Sequence, residues 1–429
     1  MINNKIFVSL IKKSFNVFIF RILSIFLGFI FTYYIAQLYG AEGMGVFALC
    51  QSILMISTLI SLFGTDTASV KLISTNFYKK NYSKIKSIYL TILKIVIPIS
   101  AIISLIVLSS SDILSDIIFN KPNIGIGLFY VIIAILPLCL IYIHSESLRG
   151  MKKVELYSII KYFLTPFFSI ILLVTFYDSD NIYLPILVYC VSIIITSTIG
   201  FLIWINKSRL LATNSMYTSI NEVLKISFPL MVSSSMLLLL QWIDIFILGY
   251  FEPSSQIGIY NVAVKISMFA SIILFSINSI VAPKISEFFN QENFIELRKV
   301  IKTSSKLMFF LTIPVLILIL VFSKFILSFF GEQFISGVLC LNILIAGQLV
   351  NVLCGSVGYI LNMTEHQNVF KWIIFFSVMV NIILNIVLIP LYGILGAAIS
   401  SMISLTSWNM FSCIFIYKKF NISTIWFIK

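Results

Sequence analysis

Apolar runs long enough to cross the roughly 30 Å hydrocarbon core of a bilayer, which takes about 20 helical residues, recur along the whole chain between short polar breaks. They predict helices over 14–38, 46–70, 88–110, 124–147, 157–177 and 182–205, then over 226–250, 258–282, 307–330, 338–361, 368–389 and 394–417. Between the last two, Leu391-Tyr392-Gly393-Ile394-Leu395-Gly396 reads as a tight turn, because fusing the flanking runs would give a helix far too long for one crossing. Within several runs the polar residues fall at helical spacing and so share a face. Arg21, Ser24, Gly28 and Thr32 do so in the first, and Gln51, Thr58 and Thr65 in the second, with Asp66 beside them. The seventh carries Ser234, Gln241 and Asp244, and the eighth Asn261, Lys265, Ser276 and Ser279. Gln348, Asn351, Gly355, Gly358 and Asn362 form a continuous stripe in the tenth, and Ser377, Asn381 and Asn385 lie in the eleventh.

Charge placement gives these helices a direction. With the N-terminus inside, basic residues collect at every cytoplasmic break: Lys5, Lys12 and Lys13; Lys71 to Lys86; Arg149 to Lys161; Lys207, Arg209 and Lys225; Lys284 to Lys306; Lys371; and Lys418, Lys419 and Lys429. The outer turns hold Glu42, Asp112, Asp116, Asp178, Asp180, Glu252 and Glu332, with only Lys121 and Lys324 against them. Both termini are therefore expected in the cytoplasm, in a multi-pass membrane protein. The segment from Lys284 to Lys306 reads as an amphipathic surface helix.

Composition agrees. With 60% hydrophobic and 10% charged residues and a mean hydropathy of +1.07, the chain cannot keep a surface in water. The net charge of +13 sits in short loops beside apolar runs, which argues against nucleic acid and for anionic lipid headgroups. The six cysteines fall inside apolar runs without a CxxC pair, so neither disulfides, a metal site nor a cofactor is expected.

Sliding the chain against itself by 213 positions lays Gly45-Val46-Phe47 on Gly258-Ile259-Tyr260, Lys71 on Lys284, Leu148 on Leu361 and Tyr157 on Phe370. Six helices per repeat leave both halves in the same orientation, related by an axis along the membrane normal. The expected architecture is an all-α integral membrane protein of about 12 transmembrane helices, with an N-terminal lobe at 1–210 and a C-terminal lobe at 211–429.

Ordered motifs along nearly the full chain resemble the multidrug/oligosaccharidyl-lipid/polysaccharide exporter superfamily, in its polysaccharide-transporter branch of O-antigen (Wzx-type) flippases. They are Tyr39-Gly40-Ala41-Glu42-Gly43-Met44-Gly45, Leu148-Arg149-Gly150, the run from Trp242 to Phe251, Gly258 to Lys265, Ala282-Pro283-Lys284, Gly347 to Asn351, Leu361-Asn362 and Ile389 to Ala398. The resemblance implies two lobes rocking around a central cavity in alternating access, no catalytic residues, and an undecaprenyl-diphosphate-linked oligosaccharide as cargo, such as an O-antigen or capsule repeat unit. Other polysaccharide-assembly proteins are possible partners.

Such a cargo needs a polar path for its sugars and cations for its diphosphate, since each buried polar group costs several kcal/mol without a partner. Arg21, Lys94, Lys265, Gln348 and Asn351 are the candidates for that path, and Asp66, Asp244 and His144 for an ion or coupling site. The alternatives remain open at this point: the polar stripes also fit helix–helix contacts, Arg21 can snorkel or pair with Asp66, Lys94 can snorkel, and His144 can be a satisfied structural residue. Glu146 and Arg149 read as an interfacial pair of little consequence. Asp244 and Lys265, at matching depth on neighbouring helices, are expected to form an ion pair. A drug or cation antiporter would call for more intramembrane acid, a lipid II flippase for two further helices, and a membrane polymerase or ligase for a large outer loop.

Overall fold

The computed structural model describes residues 4–121, 124–208 and 217–427, and side chains from residue 19 on except at 229 and 232–234. Lys5, Lys12, Lys13, Arg209, Ser234 and Lys429 thus lie outside the described side chains. Every described element is helical: α1 (Asn4–Leu62), α2 (Thr65–Tyr78), α3 (Tyr82–Ser109), α4 (Ile124–Gly150), α5 (Val154–Ser158), α6 (Leu164–Thr175), α7 (Leu184–Ser208) and α8 (Ile220–Phe251) come first. They are followed by α9 (Ser254–Ser267), α10 (Phe269–Asn290), α11 (Phe294–Val321), α12 (Ser323–Ser328), α13 (Val338–Cys354), α14 (Val357–Met363), α15 (Gln367–Tyr392) and α16 (Ile394–Phe420). Backbone groups in hydrocarbon must bond within their own segment, and only a helix lets a single apolar run do so.

Among the described residues, ten helices are long and apolar enough to cross a membrane. The first of them, Ile19–Leu62, has 44 residues, twice what one crossing needs, and bends at Gly40 (φ 65°, ψ −166°), a backbone conformation open to glycine. Counted as two, and with α8 added for its apolar part Ser235–Phe251, the set becomes the twelve spans expected. The same left-handed geometry at Gly393 (φ 57°) makes the tight turn between α15 and α16. Apolar side chains of α3 and α11, among them Ile102, Leu105, Phe310 and Ile317, stand fully outward, as they do where lipid is the solvent.

Three expectations need correction. The second span does not run to residue 70: Phe63 (φ 48°) and Gly64 (φ 70°) end it, and α2 starts afresh at Thr65. The tenth is broken at Gly355 (φ 71°), so its polar stripe is divided between α13 and α14 rather than continuous. The basic segment from Lys284 to Lys306 is no separate surface helix, since α10 and α11 run through it and meet in a short turn at 291–293.

The chain divides into two compact units. Unit 1 holds residues 1–39 and 46–238, and α4 is its centre, packed against α2, α3 and α7. Unit 2 holds residues 40–45 and 239–429, with α16 packed against α13 and α15, and α10 against α11. The short segment 40–45 belongs to unit 2 through a close backbone approach. A Cβ on Gly45 would overlap the Ser254 carbonyl, and one on Gly258 the Ala41 carbonyl. The separations are equal (254 − 41 = 258 − 45 = 213), so this contact maps onto itself under the sequence repeat. Ala41-x-x-x-Gly45 and Ser254-x-x-x-Gly258 are both small-xxx-small tetrads, the pattern that lets membrane helices touch backbone to backbone. The Ala41 amide also donates to Gln333 Oε1 at 3.1 Å.

Candidate functional site

A cluster of charged and tyrosine side chains lies within unit 1, drawn from α1, α4 and the helix that starts at α5. Between α5 and α6 the backbone forms a π-turn, Ile159–Phe163. In a regular α-helix residues five apart point roughly 140° away from one another, whereas a turn closed by i→i+5 bonds brings them nearly into line. Tyr157 and Tyr162 accordingly share a face, their hydroxyls 3.0 Å apart. Lys161 projects among three rings, its Nζ 4.9 Å from the centre of Tyr142, 5.4 Å from Tyr157 and 5.7 Å from Tyr162. The Arg149 guanidinium lies over the Tyr157 ring at 5.3 Å, and that of Arg21 over the Tyr162 ring at 5.1 Å. One turn on from Arg21, Ser24 Oγ donates to the Tyr162 carbonyl at 2.6 Å, fixing α1 to the π-turn.

Glu146 anchors the cluster. Its Oε2 accepts from Arg149 Nη1 at 3.2 Å and its Oε1 from Lys161 Nζ. The carboxylate side chain is 5% exposed and that of Lys161 14%, against 51% for Arg149, so the pair with Lys161 is a buried one. The pair of Glu146 with Arg149 forms as expected, and what the sequence reading missed is that Glu146 also holds the enclosed Lys161. Loop charge assigns Lys161 to the cytoplasmic end of the span 157–177; the π-turn that folds it toward Glu146 is not visible in a 3.6-residue period. Tyr157 and Tyr162, flanking Lys161 within four residues, were the local signal available; Tyr142, 19 residues away, was not.

Unit 2 holds a second group, around Asp244 of α8. Its Oδ2 accepts from Tyr260 Oη at 2.8 Å and from Ser401 Oγ, and its Oδ1 from Asn385 Nδ2 at 2.6 Å. Asn385 also donates to Asn381 Oδ1 at 3.1 Å, and Asn381 to Ser404 Oγ at 3.3 Å. Asp244, Asn381 and Asn385 are fully enclosed, and Asn385 Oδ1 has no hydrogen-bond partner among the described residues. The expected ion pair between Asp244 and Lys265 is not formed. Tyr260 and Lys265 are five residues apart on α9, so the face that brings Tyr260 to the carboxylate turns Lys265, half-buried, elsewhere.

Of the other candidates, Asp66 lies within electrostatic reach of Lys161 and Glu146, and the rest stand apart from these groups. Gln348 Oε1 accepts from Ser271 Oγ at 3.3 Å and from Asn351 Nδ2 at 3.2 Å, a small amide site between α13 and α10 in unit 2. Lys94 is exposed on α3, in line with exposed Leu90 and Ile97, an apolar face from which a lysine snorkels to headgroups. His144 is fully buried between the rings of Tyr89 and Phe201, its Nε2 3.0 Å from the Tyr89 hydroxyl. Asp66 stands in the first turn of α2, where the amide groups of a helix start favour a carboxylate. Of the candidates for the cargo path, Arg21 alone joins the charged cluster of unit 1.

Comparison with known proteins completes the description. The model of the polysaccharide biosynthesis protein family matches residues 10–289, and a second model, MatE, matches residues 229–387. A Haloferax volcanii protein named as a probable low-salt glycan biosynthesis flippase is 25% identical over 92% of this chain and 81% of its own length. A probable flippase of the same organism is 30% identical over 38% of this chain and 35% of its own. Among solved structures, the lipid II flippase MurJ in an inward closed conformation superposes with a TM-score of 0.75 at 16% identity, covering 96% of this chain and 89% of that one. An inward-facing multidrug resistance MATE transporter of the MOP superfamily gives 0.73 at 13%, covering 93% and 94%. The chain is therefore a membrane protein of the MOP superfamily fold and belongs to the polysaccharide biosynthesis protein family.

Proposed function

We propose that this protein is a flippase that carries a lipid-linked oligosaccharide across the cytoplasmic membrane by alternating access, with both termini in the cytoplasm. The cargo is an undecaprenyl-diphosphate-linked repeat unit of a surface polysaccharide. Family membership supports the transport of a glycan intermediate, and the observation that carries the anionic headgroup is the cation set of unit 1, where Arg21, half-exposed Arg149 and enclosed Lys161 converge. A diphosphate entering a hydrocarbon span needs charged donors, since nothing else offsets its lost hydration. Arg21 is the first contact for the diphosphate. Lys265 and the amides of Gln348 and Asn351 serve the rest of the headgroup from unit 2, where amide groups suit sugar hydroxyls. Lys94, on its apolar face, contributes through the lipid interface.

Asp244 is the coupling site in this reading. A single carboxylate ringed by hydroxyl and amide groups, beside an unsatisfied amide oxygen, is an oxygen-rich setting fit for a monovalent cation or a proton. The test is a translocation assay in proteoliposomes with a defined undecaprenyl-diphosphate sugar, with and without Na⁺ and H⁺ gradients. Accelerated flipping of that lipid is the expected outcome; flipping no faster than in protein-free vesicles refutes the proposal. A cationic drug carried in its place would turn the assignment to the antiporter branch.

A further inference from the structure

Glu146 binds the two cations an incoming anion would need. Its oxygens take donors from Arg149 and Lys161, and the Arg21 guanidinium joins the same group through Tyr162. Asp66 is close enough to act electrostatically on Lys161 and Glu146, so the cluster counts three cations and two carboxylates. Its accessibility is graded: Arg149 is half open, while Lys161 and Glu146 behind it are nearly closed off. An oxyanion passed from Arg21 to Arg149 therefore meets a donor already shared with Glu146, and reaches Lys161 by taking that carboxylate's place.

We propose that Glu146 is a built-in occupant of an anion site made by Lys161, Arg149 and Arg21, and that the phosphate or diphosphate of a lipid-linked ligand displaces it. This rests on the reading of the chain as a carrier of lipid-linked glycans. Two features of the geometry favour exchange over a permanent structural pair. The faces of Tyr142, Tyr157 and Tyr162 surround Lys161, so its ammonium keeps an attractive partner while one anion leaves and another arrives. Arg149, held over Tyr157 and bonded to Glu146 through one nitrogen, has donors left for a second oxyanion. Glu146 then has two roles: it neutralises the cations in the empty carrier, and it returns to Lys161 to expel the ligand after translocation.

The test is binding of farnesyl diphosphate by the purified full chain in nanodiscs of phosphatidylcholine, read by calorimetry per folded protein. Glu146→Gln is expected to bind at least about tenfold more tightly, because the internal competitor has gone, and to flip lipid more slowly. Lys161→Met is expected to bind at least about tenfold more weakly, the loss of one charge-assisted bond, and to cancel the gain in the double variant. Equal affinity in all four proteins, with only thermal stability changing, would show a structural pair and overturn the inference. Because Glu146→Gln can fail to fold, the wild-type protein supplies a second measure. Labelling of Glu146 by a hydrophobic carbodiimide should rise when farnesyl diphosphate binds; unchanged or reduced labelling overturns displacement. Nanodiscs containing phosphatidylglycerol distinguish the source: if that lipid alone raises the labelling, the anion site stands but its ligand is bulk lipid. Normal flipping by Lys161→Met would sink this inference and leave the proposed function intact, whereas absence of flipping by the wild type would sink the function itself.

Discussion

At the scale of single residues, the arginine on α1 and the aspartate on α8 make opposite demands. Arg21 lies over the Tyr162 ring as a planar cation. Replacing it by alanine should abolish lipid flipping while insertion stays normal, and lysine should restore part of it, since charge is kept but planar stacking is lost. Flipping rates normalised to folded protein decide this, and activity in Arg21→Ala comparable to wild type counts against a role in the path. Asp244 gathers donors from Tyr260, Asn385 and Ser401, so Asp244→Ala takes away the acceptor they share, although Tyr260 and Ser401 keep each other at 3.2 Å and Asn385 keeps Asn381. A buried donor left unpaired costs about 1–3 kcal/mol. Because Lys265 does not belong to that group, adding Lys265→Ala should not rescue the melting temperature of the detergent-solubilised Asp244→Ala variant. Rescue would reinstate the ion pair that depth along the helices led one to expect.

The scale of helices adds what spacing alone does not show. Gly45 and Gly258 meet the backbones of Ser254 and Ala41 so closely that even a methyl group must move a helix. Gly258→Ala and Gly45→Ala should each destabilise by about 1–3 kcal/mol, as overpacking does, and by similar amounts because the contact is reciprocal. The double variant should cost less than the sum, since one displacement relieves both clashes. Thermal unfolding of the purified protein reads all three, and fully additive losses would show two independent contacts. The helix count, the tight turn around Gly393 and the break between the first two spans were legible in the chain, because apolar length and turn composition are local properties. The π-turn at Ile159–Phe163 and the break at Gly355 were not, since both sit inside runs whose composition is as helical as their surroundings.

For the whole molecule, charge in the loops sets an orientation that is open to direct measurement. Cysteines placed at Lys79 and Lys419 should react with a membrane-impermeant maleimide only after permeabilisation of the cell, and cysteines at Asp178 and Glu332 in intact cells. The reverse pattern would invert the protein and with it the direction of transport. Length, hydropathy, loop charge and the 213-residue offset were enough to establish an all-helical membrane protein of repeated halves, because each depends on one segment and its solvent. Which polar residues meet was decided by tertiary structure. A period of 3.6 assigns a residue to a face but not to a neighbour; depth along the helices put Asp244 beside Lys265, and loop charge put Lys161 at the cytoplasmic end of the span 157–177. The fold instead gave Asp244 to Tyr260, Asn385 and Ser401, and Lys161 to Glu146 and three tyrosines. Partners come from neighbouring helices, from helices more than a hundred residues away and from a single π-turn, and only packing in three dimensions selects among the many pairings that the same depth and the same charges allow.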